Sequence, residues 1–554
     1  MVLKGLNMKK INWIFIVILL FGTAFRLINL DKSGGLWYDE AVIYSIASKQ
    51  GLAGMLAADL HRFIMFPFYY LIYHFWILIF GNGDLIIRLM SVFFDILAMI
   101  TAYFIGKQFA VTIDKNKNGV GIICMLLYGI NSSFIYYAQE AKFYSLTFFI
   151  INLIILFWLK FIQQKSKKNL FILLGLNYLL FLTYSAQILF IILLFCVTMV
   201  YLLKNKRNKD VLIYLCGILP LIVVSLCLRK YFTGNFDAVV YDNSFIILAI
   251  QNWFTPILEG LQNNVLKYQW YLLTVILDIR FWIYILLPAG IMIFALFKAL
   301  KKYSITSYLF FAACLYVIVH ILLTYFTNYS VLVRYTLPVL PIFIFIAAVG
   351  FSEMNKWILS IFVSICVFII ISPLGAAYIK RPDGYLTLAV ILDEFEINNQ
   401  NDFIMPIRTD LLDKYYSVKG KKYSIYTLNS DEAMKTYLSE DEIQGIKNDK
   451  NKHKYIKRYI NEKEVPKDFE DFIMSNFVND NDIVLIVDKS IATLSDEQLK
   501  TLVKYNTTFE TYPFQFIRLS KINNDLIKVL SKNMNIKNHT SDGNWEVYEF
   551  SKRK

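Results

Sequence analysis

The stretch INWIFIVILLFGTAFRLINLDKSGGLWYDE, residues 11–40, decides the class of this protein. An apolar run of about 20 residues is long enough to cross a membrane as a helix. The run here is followed by a short segment that ends in two acids, Asp39 and Glu40. Three lysines precede it and no small-residue cleavage site follows it, a pattern that favours a retained first helix over a removed signal peptide.

The composition of the whole chain agrees with a membrane protein. Its 554 residues are 57% hydrophobic, 17% aromatic and only 18% charged, which indicates a polytopic membrane part with a soluble part attached. Residues 1–379 hold 29 Lys and Arg against 14 acids, whereas residues 380–554 hold 27 against 28. The basic excess therefore belongs to the membrane part, as membrane topology requires, and does not indicate nucleic-acid binding.

The apolar segments predict about eleven transmembrane helices, each close to 20 residues long. A twelfth run, Phe68 to Phe80, would make a helix of only ~20 Å, which is short of the ~30 Å hydrocarbon core. The predicted spans are 11–29, 85–106, 119–138, 145–162, 169–184, 186–203, 211–228, 281–298, 305–325, 335–351 and 356–376.

Loop charges predict the orientation of these spans. If the short run does not span and the N-terminus is cytoplasmic, every basic cluster falls on the cytoplasmic side, as the positive-inside rule requires. We therefore expect the short run to be an interfacial or half-inserted helix on the outer surface. Segments 30–84 and 229–280 and the C-terminal domain then lie outside with ten of the 14 acids, so any chemistry is extracytoplasmic. The clusters are Lys107/Lys115/Lys117, Lys165/Lys167/Lys168, Lys204/Lys206/Arg207/Lys209 and Lys298/Lys301/Lys302.

The soluble part, residues 380–554, is predicted to be a small α/β domain. Strand-like runs alternate there with polar helical stretches at 431–447 and 495–505. Residues 447–467 form a charge run that is typical of a solvated helix or loop. All six cysteines lie in apolar runs, which excludes a Cys-based metal site in this domain. The strand-like runs are 402–407, 422–427, 482–488 and 545–551.

Two groups of polar residues in the first outer segment could carry chemistry. Asp39 and Glu40 could remove a proton from a hydroxyl or hold a divalent cation. Equally, Asp39 could be the N-cap of an interfacial helix with Glu40 in its first turn. Asp59 and His61 could share a metal or relay a proton, although a partly exposed histidine is more often a bystander.

Several charged residues lie at or inside the ends of predicted spans. Arg88 and Arg334 could grip a lipid-linked phosphate bidentately or anchor helix ends at the interface. Arg26 is expected to be such an anchor. Asp95 follows Arg88 by two helical turns on the same face, where it could orient Arg88 or make a separate structural contact, and the structural contact is slightly favoured.

The segment Tyr136 to Tyr144 is a short loop between two predicted spans. It holds an acid, Glu140, and a base, Lys142, among three tyrosines. An aromatic belt at the membrane surface would account for the tyrosines, but it accounts poorly for Glu140.

Taken in order, these motifs resemble the GT-C glycosyltransferases, and within them the bacterial relatives of protein O-mannosyltransferases and of the lipid A aminoarabinose transferase. The resemblance covers residues 11 to about 350. The motifs are Asp39-Glu40, Asp59-x-His61 before Pro67-x-Tyr69-Tyr70, Arg88 with Ser91, Tyr136-Tyr137-x-Gln139-Glu140-Ala141-Lys142-x-Tyr144-Ser145, and Arg334-Tyr335-x-Leu337-Pro338.

The resemblance implies an enzyme that takes a sugar from a polyprenyl-phosphate donor to an extracytoplasmic acceptor, with inversion at the anomeric carbon. By motif, Asp39 would be the catalytic base, Glu40 would support it, and Glu140 would be a further carboxylate of the catalytic site. Arg88, Lys142 and Arg334 would bind the donor phosphate, and Tyr144, Asp59, His61 and Asp95 would support the site. No cofactor is certain, but Glu40, Asp59 and His61 are candidates for holding Mg²⁺, Mn²⁺ or Zn²⁺.

Some features depart from the family pattern. Residues 62–66 separate the Asp-x-His motif from Pro67, and Lys142 replaces the usual arginine, which keeps the charge but loses the bidentate fork. The C-terminal domain resembles no known domain, so the sequence does not identify the acceptor of the sugar.

Two other functions remain as alternatives. A polyprenyl-linked polysaccharide flippase, polymerase or ligase would use the same kind of lipid. It would carry charges along its helices, whereas here only Asp95 is deep. A receptor or structural protein would use the acids only as helix caps.

Overall fold

The structure is a computed structural model. It describes residues 13–28, 30, 35–48, 53–55, 67–113, 115–232, 287–326, 337–371, 388, 390–392, 402–405, 424–427, 433, 435–439, 442, 465–478, 482–488, 514–542 and 545–553.

A helix lies at each of the eleven predicted spans, and short helices join some of them. Residues 119–138 form two helices instead of one, bent by 61° at Ile130 and Asn131. The helices are α1 (Trp13–Leu27), α2 (Tyr38–Ala47), α3 (Pro67–Phe80), α4 (Asp84–Thr112), α5 (Lys117–Gly129), α6 (Ser132–Ala138), α7 (Tyr144–Gln164), α8 (Lys167–Thr183), α9 (Ile188–Lys204), α10 (Asn208–Phe232), α11 (Leu287–Lys302), α12 (Ser304–Phe326), α13 (Leu340–Phe351) and α14 (Lys356–Ile371).

The membrane part is built from these apolar helices. Within the described ranges, four helical segments are long and apolar enough to cross a membrane, and the bent pair α5–α6 makes a fifth. The four are Asp84–Thr112, Tyr144–Gln164, Ser185–Lys204 and Asn208–Ser225. Several other apolar helices, including α1 and α14, are shorter than 18 residues. Large apolar side chains such as Leu20 and Phe171 are exposed, as expected where lipid covers the surface.

Helix α4 is the central element of the amino-terminal half, because it packs against α1, α5 and α7. Glycine allows its closest approach to a neighbour: a Cβ on Gly106 would come within 2.6 Å of the Val120 carbonyl oxygen. The same device joins α11 and α13, where a Cβ on Gly350 would overlap the Ala295 carbonyl. Small residues at such crossings are typical of helices packed in membranes, where van der Waals contact drives association.

Helix α3 corresponds to the short apolar run of the sequence. Its 14 residues extend ~21 Å, which is less than the hydrocarbon core. Trp76 of α3 donates a hydrogen bond to the Ile86 carbonyl (2.8 Å) and stacks near Phe93, so these contacts fall in the first three turns of α4. The length of α3 agrees with an interfacial or half-inserted helix, and its position in the membrane stays a prediction.

Ion pairs join three loops that the charge pattern places on one side of the membrane. Glu353, in the turn after α13, accepts hydrogen bonds from Lys302 (2.6 Å) and Tyr303 (2.6 Å) and pairs with Lys115 (3.1 Å). Desolvation by burial raises the pKa of Glu353, but the hydrogen bonds from Lys302, Tyr303 and Lys115 outweigh it and lower the pKa from 4.5 to about 2. The ends of α4, α11 and α13 are tied together by this carboxylate.

The Glu353 cluster predicts an acid-dependent stability. Because the folded pKa is depressed, the ionised carboxylate stabilises the fold above pH 4.5, and this contribution is lost as the pH falls towards about 2. We expect wild type to melt at a higher temperature than Glu353→Gln at pH 7, with the gap closing over that acid range. Thermal unfolding in detergent measures the melting temperatures of both proteins as a function of pH. A difference in melting temperature that does not change with pH would contradict the prediction.

The carboxy-terminal part contains a five-stranded mixed sheet of order β2-β1-β3-β5-β4. Strands β1 and β3 are parallel neighbours, whereas β5 is antiparallel to both β3 and β4. Four strands lie where the sequence predicts them, while β4 was missed because its residues are mostly polar. The elements are β1 (Asp402–Met405), β2 (Ser424–Thr427), α15 (Lys467–Phe477), β3 (Ile483–Asp488), α16 (Phe514–Asn533), β4 (Met534–Asp542) and β5 (Trp545–Lys552).

The helices α15 and α16 cover this sheet. Phe469 and Ile473 of α15 and Leu526 of α16 share a buried cluster with Leu485 of β3 and Phe550 of β5. The described residues therefore have the α/β character that the sequence predicts. The predicted helical stretch 495–505 and residues 447–464 of the charge run lie outside the described residues.

Candidate functional site

Glu40 and Arg88 form a buried ion pair at the end of the bundle. Both side chains are 0% exposed. Arg88 donates from Nε to Oε1 of Glu40 (3.1 Å) and from Nη2 to Oε2 (2.7 Å), which makes a bidentate pair. The guanidinium also donates to the carbonyls of Leu30 (3.1 Å) and Gly35 (2.8 Å). One arginine of α4 thus holds the chain that connects α1 to α2.

The Glu40 carboxylate also binds two backbone N–H groups. Trp37 donates to it across the first turn of α2 (3.3 Å), and Ala141 donates from the loop after α6 (2.8 Å). The predicted helix after residue 38 is present, but its N-cap is Trp37 and Asp39 lies one residue inside it. Glu40 is therefore both the capping acid of α2 and the link between α2, α4 and the loop that joins α6 to α7.

Asp39 lies beside this pair and is partly open. Its side chain is 27% exposed and makes an ion pair with Lys142, whose side chain is only 4% exposed. The Lys142 ammonium lies 4.4 Å from the centre of the Trp37 ring and 5.6 Å from that of Tyr144, distances at which cations are attracted to aromatic faces. Asp39, unlike Glu40, is therefore partly accessible from outside the protein.

The loop between α6 and α7 brings Glu140 and Lys142 to the same place. Glu140 is nearly buried, and its Oε2 lies 3.9 Å from the Lys142 ammonium nitrogen. The loop turns tightly, because the Lys142 N–H donates to the Glu140 carbonyl (2.7 Å). Ser91 of α4 donates to the Lys142 carbonyl (3.4 Å). The acid and the base of the motif therefore have fixed positions beside Asp39.

Tyrosine and phenylalanine rings form the wall of the site. Tyr69 of α3 is 1% exposed and lies near Phe143, which in turn contacts Tyr184. Burial, the neighbouring Tyr70, and the carboxylates of Glu40 and Glu140 raise the pKa of the Tyr69 phenol well above its usual value. Tyr69 therefore stays protonated at neutral pH and does not act as a base.

Arg26 and Asp95 form a second buried ion pair, and the prediction that Arg26 is an interfacial anchor is wrong. Arg26 is 0% exposed and donates from Nε to Asp95 and from Nη1 to the Gly129 carbonyl (3.0 Å). Tyr128 donates to the other oxygen of Asp95 (2.8 Å). The physical reason is that a carboxylate inside an apolar bundle needs a countercharge. Asp95 thus binds Arg26 and not Arg88, as the favoured structural interpretation expects.

Gln139 is a positioning residue to which the sequence analysis gave no role. Its amide donates to the carbonyls of Phe25 (3.2 Å), Arg26 (3.3 Å) and Ile28 (2.8 Å). Phe25 and Arg26 are in the last turn of α1, where carbonyls have no helical partners, and Ile28 directly follows the helix. The loop that carries Glu140 is thereby attached to the end of α1. An amide next to an acid in a tight loop was the only sequence signal for this contact.

Three predicted site residues, Asp59, His61 and Arg334, lie outside the described residues, so their roles stay predictions. Among the residues that the structure does describe, no group of three His, Cys, Asp or Glu side chains could hold a metal ion. The oxygens of Glu40, one of the metal candidates, are already bound by Arg88, Trp37 and Ala141. A divalent metal at this site remains a prediction.

Comparison with known proteins gives one family model and a set of solved structures. The model for the protein O-mannosyl-transferase TMEM260 N-terminal domain matches residues 66–211, a range that contains Arg88, Glu140 and Lys142 but not Asp39. No curated protein matches the sequence significantly.

The fold is similar to that of ArnT. The crystal structure of ArnT from Cupriavidus metallidurans in the apo state has a TM-score of 0.54 at 11% identity, with 97% of each chain covered. The structure of the same protein bound to undecaprenyl phosphate has a TM-score of 0.42 at the same identity and coverage. ArnT is a GT-C protein, so the GT-C resemblance stated from the motifs is confirmed at the level of the fold.

Proposed function

We propose that this protein is an integral-membrane glycosyltransferase that moves a sugar from a polyprenyl-phosphate donor to an acceptor outside the cytoplasm, with inversion. The observation that carries the proposal is the Asp39–Lys142 pair, in which a partly exposed carboxylate lies against a caged ammonium. The GT-C fold and the match to a protein O-mannosyl-transferase domain support the reaction class. The orientation rests on the loop charges.

The two charges supply a base and a cation, which an inverting transfer needs on opposite faces of the sugar. Because the two side chains contact each other directly, their ion pair opens in this proposal when the donor binds, and the Lys142 ammonium turns to the phosphate. The acceptor hydroxyl attacks the anomeric carbon from the face opposite the phosphate, and Asp39 accepts its proton as the new glycosidic bond forms. The bond from that carbon to the phosphate oxygen breaks, and the polyprenyl phosphate leaves with the electron pair. Lys142 stabilises the charge that develops on this phosphate.

We assign Glu40 and Arg88 to positioning and not to direct contact with substrate. Neither side chain has exposed surface, and the four hydrogen bonds of Arg88 go to protein acceptors. These two residues hold α2, α4 and the loop between α6 and α7 in place, which keeps Asp39 next to Lys142. Glu140 shapes the electrostatic surroundings of Lys142 from 3.9 Å away.

The proposal is tested by transfer from a panel of radiolabelled polyprenyl-phosphate sugars in membranes that contain the full chain. We expect one donor class to give a labelled product in membranes that contain wild type. Membranes without the protein should not make this product. Folded protein that transfers from no donor in the panel would overturn the proposal. Lipid-linked oligosaccharide turnover without monosaccharide transfer would favour the flippase, polymerase or ligase alternative.

Replacing Lys142 should affect chemistry more than binding of the acceptor. In Lys142→Ala the developing phosphate charge loses its cation, and we expect kcat to fall by about 10²-fold, a loss comparable to that of one oxyanion donor. Lys142→Arg keeps the charge and should recover much of this loss. Steady-state kinetics with the accepted donor measure both variants. Equal activity in Lys142→Ala and wild type would show that the leaving phosphate does not contact this ammonium.

A further inference from the structure

A cleft on the lipid-facing surface lies far from the proposed transfer site. It is bounded by the last turns of α9 and the first turns of α12, and its volume is about 410 Å³, within the range of small-molecule binding sites. Its lining is mostly apolar, with hydroxyl groups at one end. The lining residues that matter here are Cys196, Val200, Ser304, Ser307, Phe311 and Leu315.

Exposed lysines follow or precede the lining residues on both walls at the polar end of the cleft. Cys196, Val200 and Lys204 follow one another at i, i+4 and i+8 on α9, so they form a single stripe that runs from the cleft to its mouth. Lys204 is exposed at the end of that stripe, and Lys301 is exposed just before Ser304 on the opposite wall. A molecule that fits has an apolar chain and an anionic head.

The head of that molecule lies at the opposite end of α9 from the transfer site. The amino-terminal end of α9 follows Tyr184, whose ring contacts Phe143 beside the site. The 17 residues of α9 separate that end from Lys204 by ~25 Å. A lipid whose phosphate binds at Lys204 therefore belongs to the other leaflet, and it is not the donor lipid of the proposed reaction.

We propose that this cleft binds an anionic phospholipid of the inner leaflet. One acyl chain lies in the apolar part between α9 and α12, and the phosphate lies between the Lys204 ammonium and the hydroxyls of Ser304 and Ser307. Anionic lipids concentrate in the cytoplasmic leaflet, and each lysine near the membrane surface attracts them. The bound lipid fills the space where α9 and α12 diverge and stabilises that contact.

The test is native mass spectrometry of the full chain in detergent with added phosphatidylglycerol or phosphatidylcholine of matched chains. We expect one phosphatidylglycerol to be retained, and Lys204→Glu to weaken its binding about tenfold or more. Lys168→Glu is the control, because it makes the same charge change on an exposed residue of α8 and should leave binding unchanged. Val200→Trp should fill the cleft and exclude the lipid, with its melting temperature as the check on folding.

Three results would overturn the proposal. These are equal retention of both phospholipids, unchanged binding in Lys204→Glu, and displacement of the phospholipid by undecaprenyl phosphate in wild type and Lys204→Glu alike. The last would assign the cleft to the tail of the sugar carrier. Because the assay measures lipid retention, its outcome does not depend on whether the chain transfers sugar.

Discussion

Replacing Asp39 with asparagine should reduce sugar transfer by at least about 10²-fold while the protein stays folded. The amide keeps the shape of the carboxylate but cannot accept the proton of the acceptor hydroxyl, and general-base catalysis contributes about 10²–10⁴-fold. Lys142 keeps a second carboxylate, that of Glu140, 3.9 Å from its ammonium, so the loss of stability should be smaller than when a buried charge loses its only partner. The rate of sugar transfer from the accepted donor, in membranes that contain either the variant or wild type, measures the effect.

Asp84→Asn is the matched control for this variant. It removes one carboxylate from the first turn of α4, at the same end of the bundle, and has no proposed part in the reaction. We expect it to retain wild-type transfer. If Asp39→Asn and Asp84→Asn have the same activity, Asp39 is not the base and the proton goes to another group.

Replacing Glu40 with glutamine should unfold the membrane part before it affects chemistry. The substitution leaves the Arg88 guanidinium fully buried without a countercharge, and removing one partner of a buried ion pair typically costs about 3–5 kcal/mol. We expect a large fall in melting temperature and low yield of folded protein. Arg88→Lys should show a weaker form of the same defect, because lysine loses the bidentate geometry.

A double substitution separates the structural role of this pair from a catalytic one. With Glu40→Gln and Arg88→Met together, neither charge of this pair remains, so the double variant should be less destabilised than the sum of the two single variants. Thermal unfolding of the three variants and wild type in detergent gives the interaction free energy between residues 40 and 88. A Glu40→Gln variant that melts like wild type but has lost transfer would instead place Glu40 among the reacting groups.

The contrast between Asp39 and Glu40 shows where sequence reasoning reached its limit. Two adjacent acids at the outer end of the first helix were identified from the scarcity of acids in the membrane half. Their neighbours along the chain do not distinguish them. In the structure, Glu40 pairs with Arg88, 48 residues away, whereas Asp39 pairs with Lys142, 103 residues away. Exposure then makes Asp39 the acid that can meet a substrate.

Arg26 gives the same lesson from a prediction that was wrong. A single arginine at the end of an apolar helix is usually an interfacial anchor, and nothing near it in sequence says otherwise. Its partner Asp95 lies 69 residues further along the chain. Pairing of the two depends on which face α1 turns towards α4, a property that the local sequence of either helix does not contain.

The sequence by itself determined that the chain is a polytopic membrane protein with an α/β carboxy-terminal part and a cluster of acids near the first helix. It could do so because apolar length, loop charge and strand patterning are local properties of composition. Only the tertiary structure decided which acid is buried and which arginine it binds. It also showed that Arg88 and Asp95, both on α4, belong to two separate ion pairs. Those outcomes depend on packing between distant segments, since a buried charge is stable only where the fold supplies its partner.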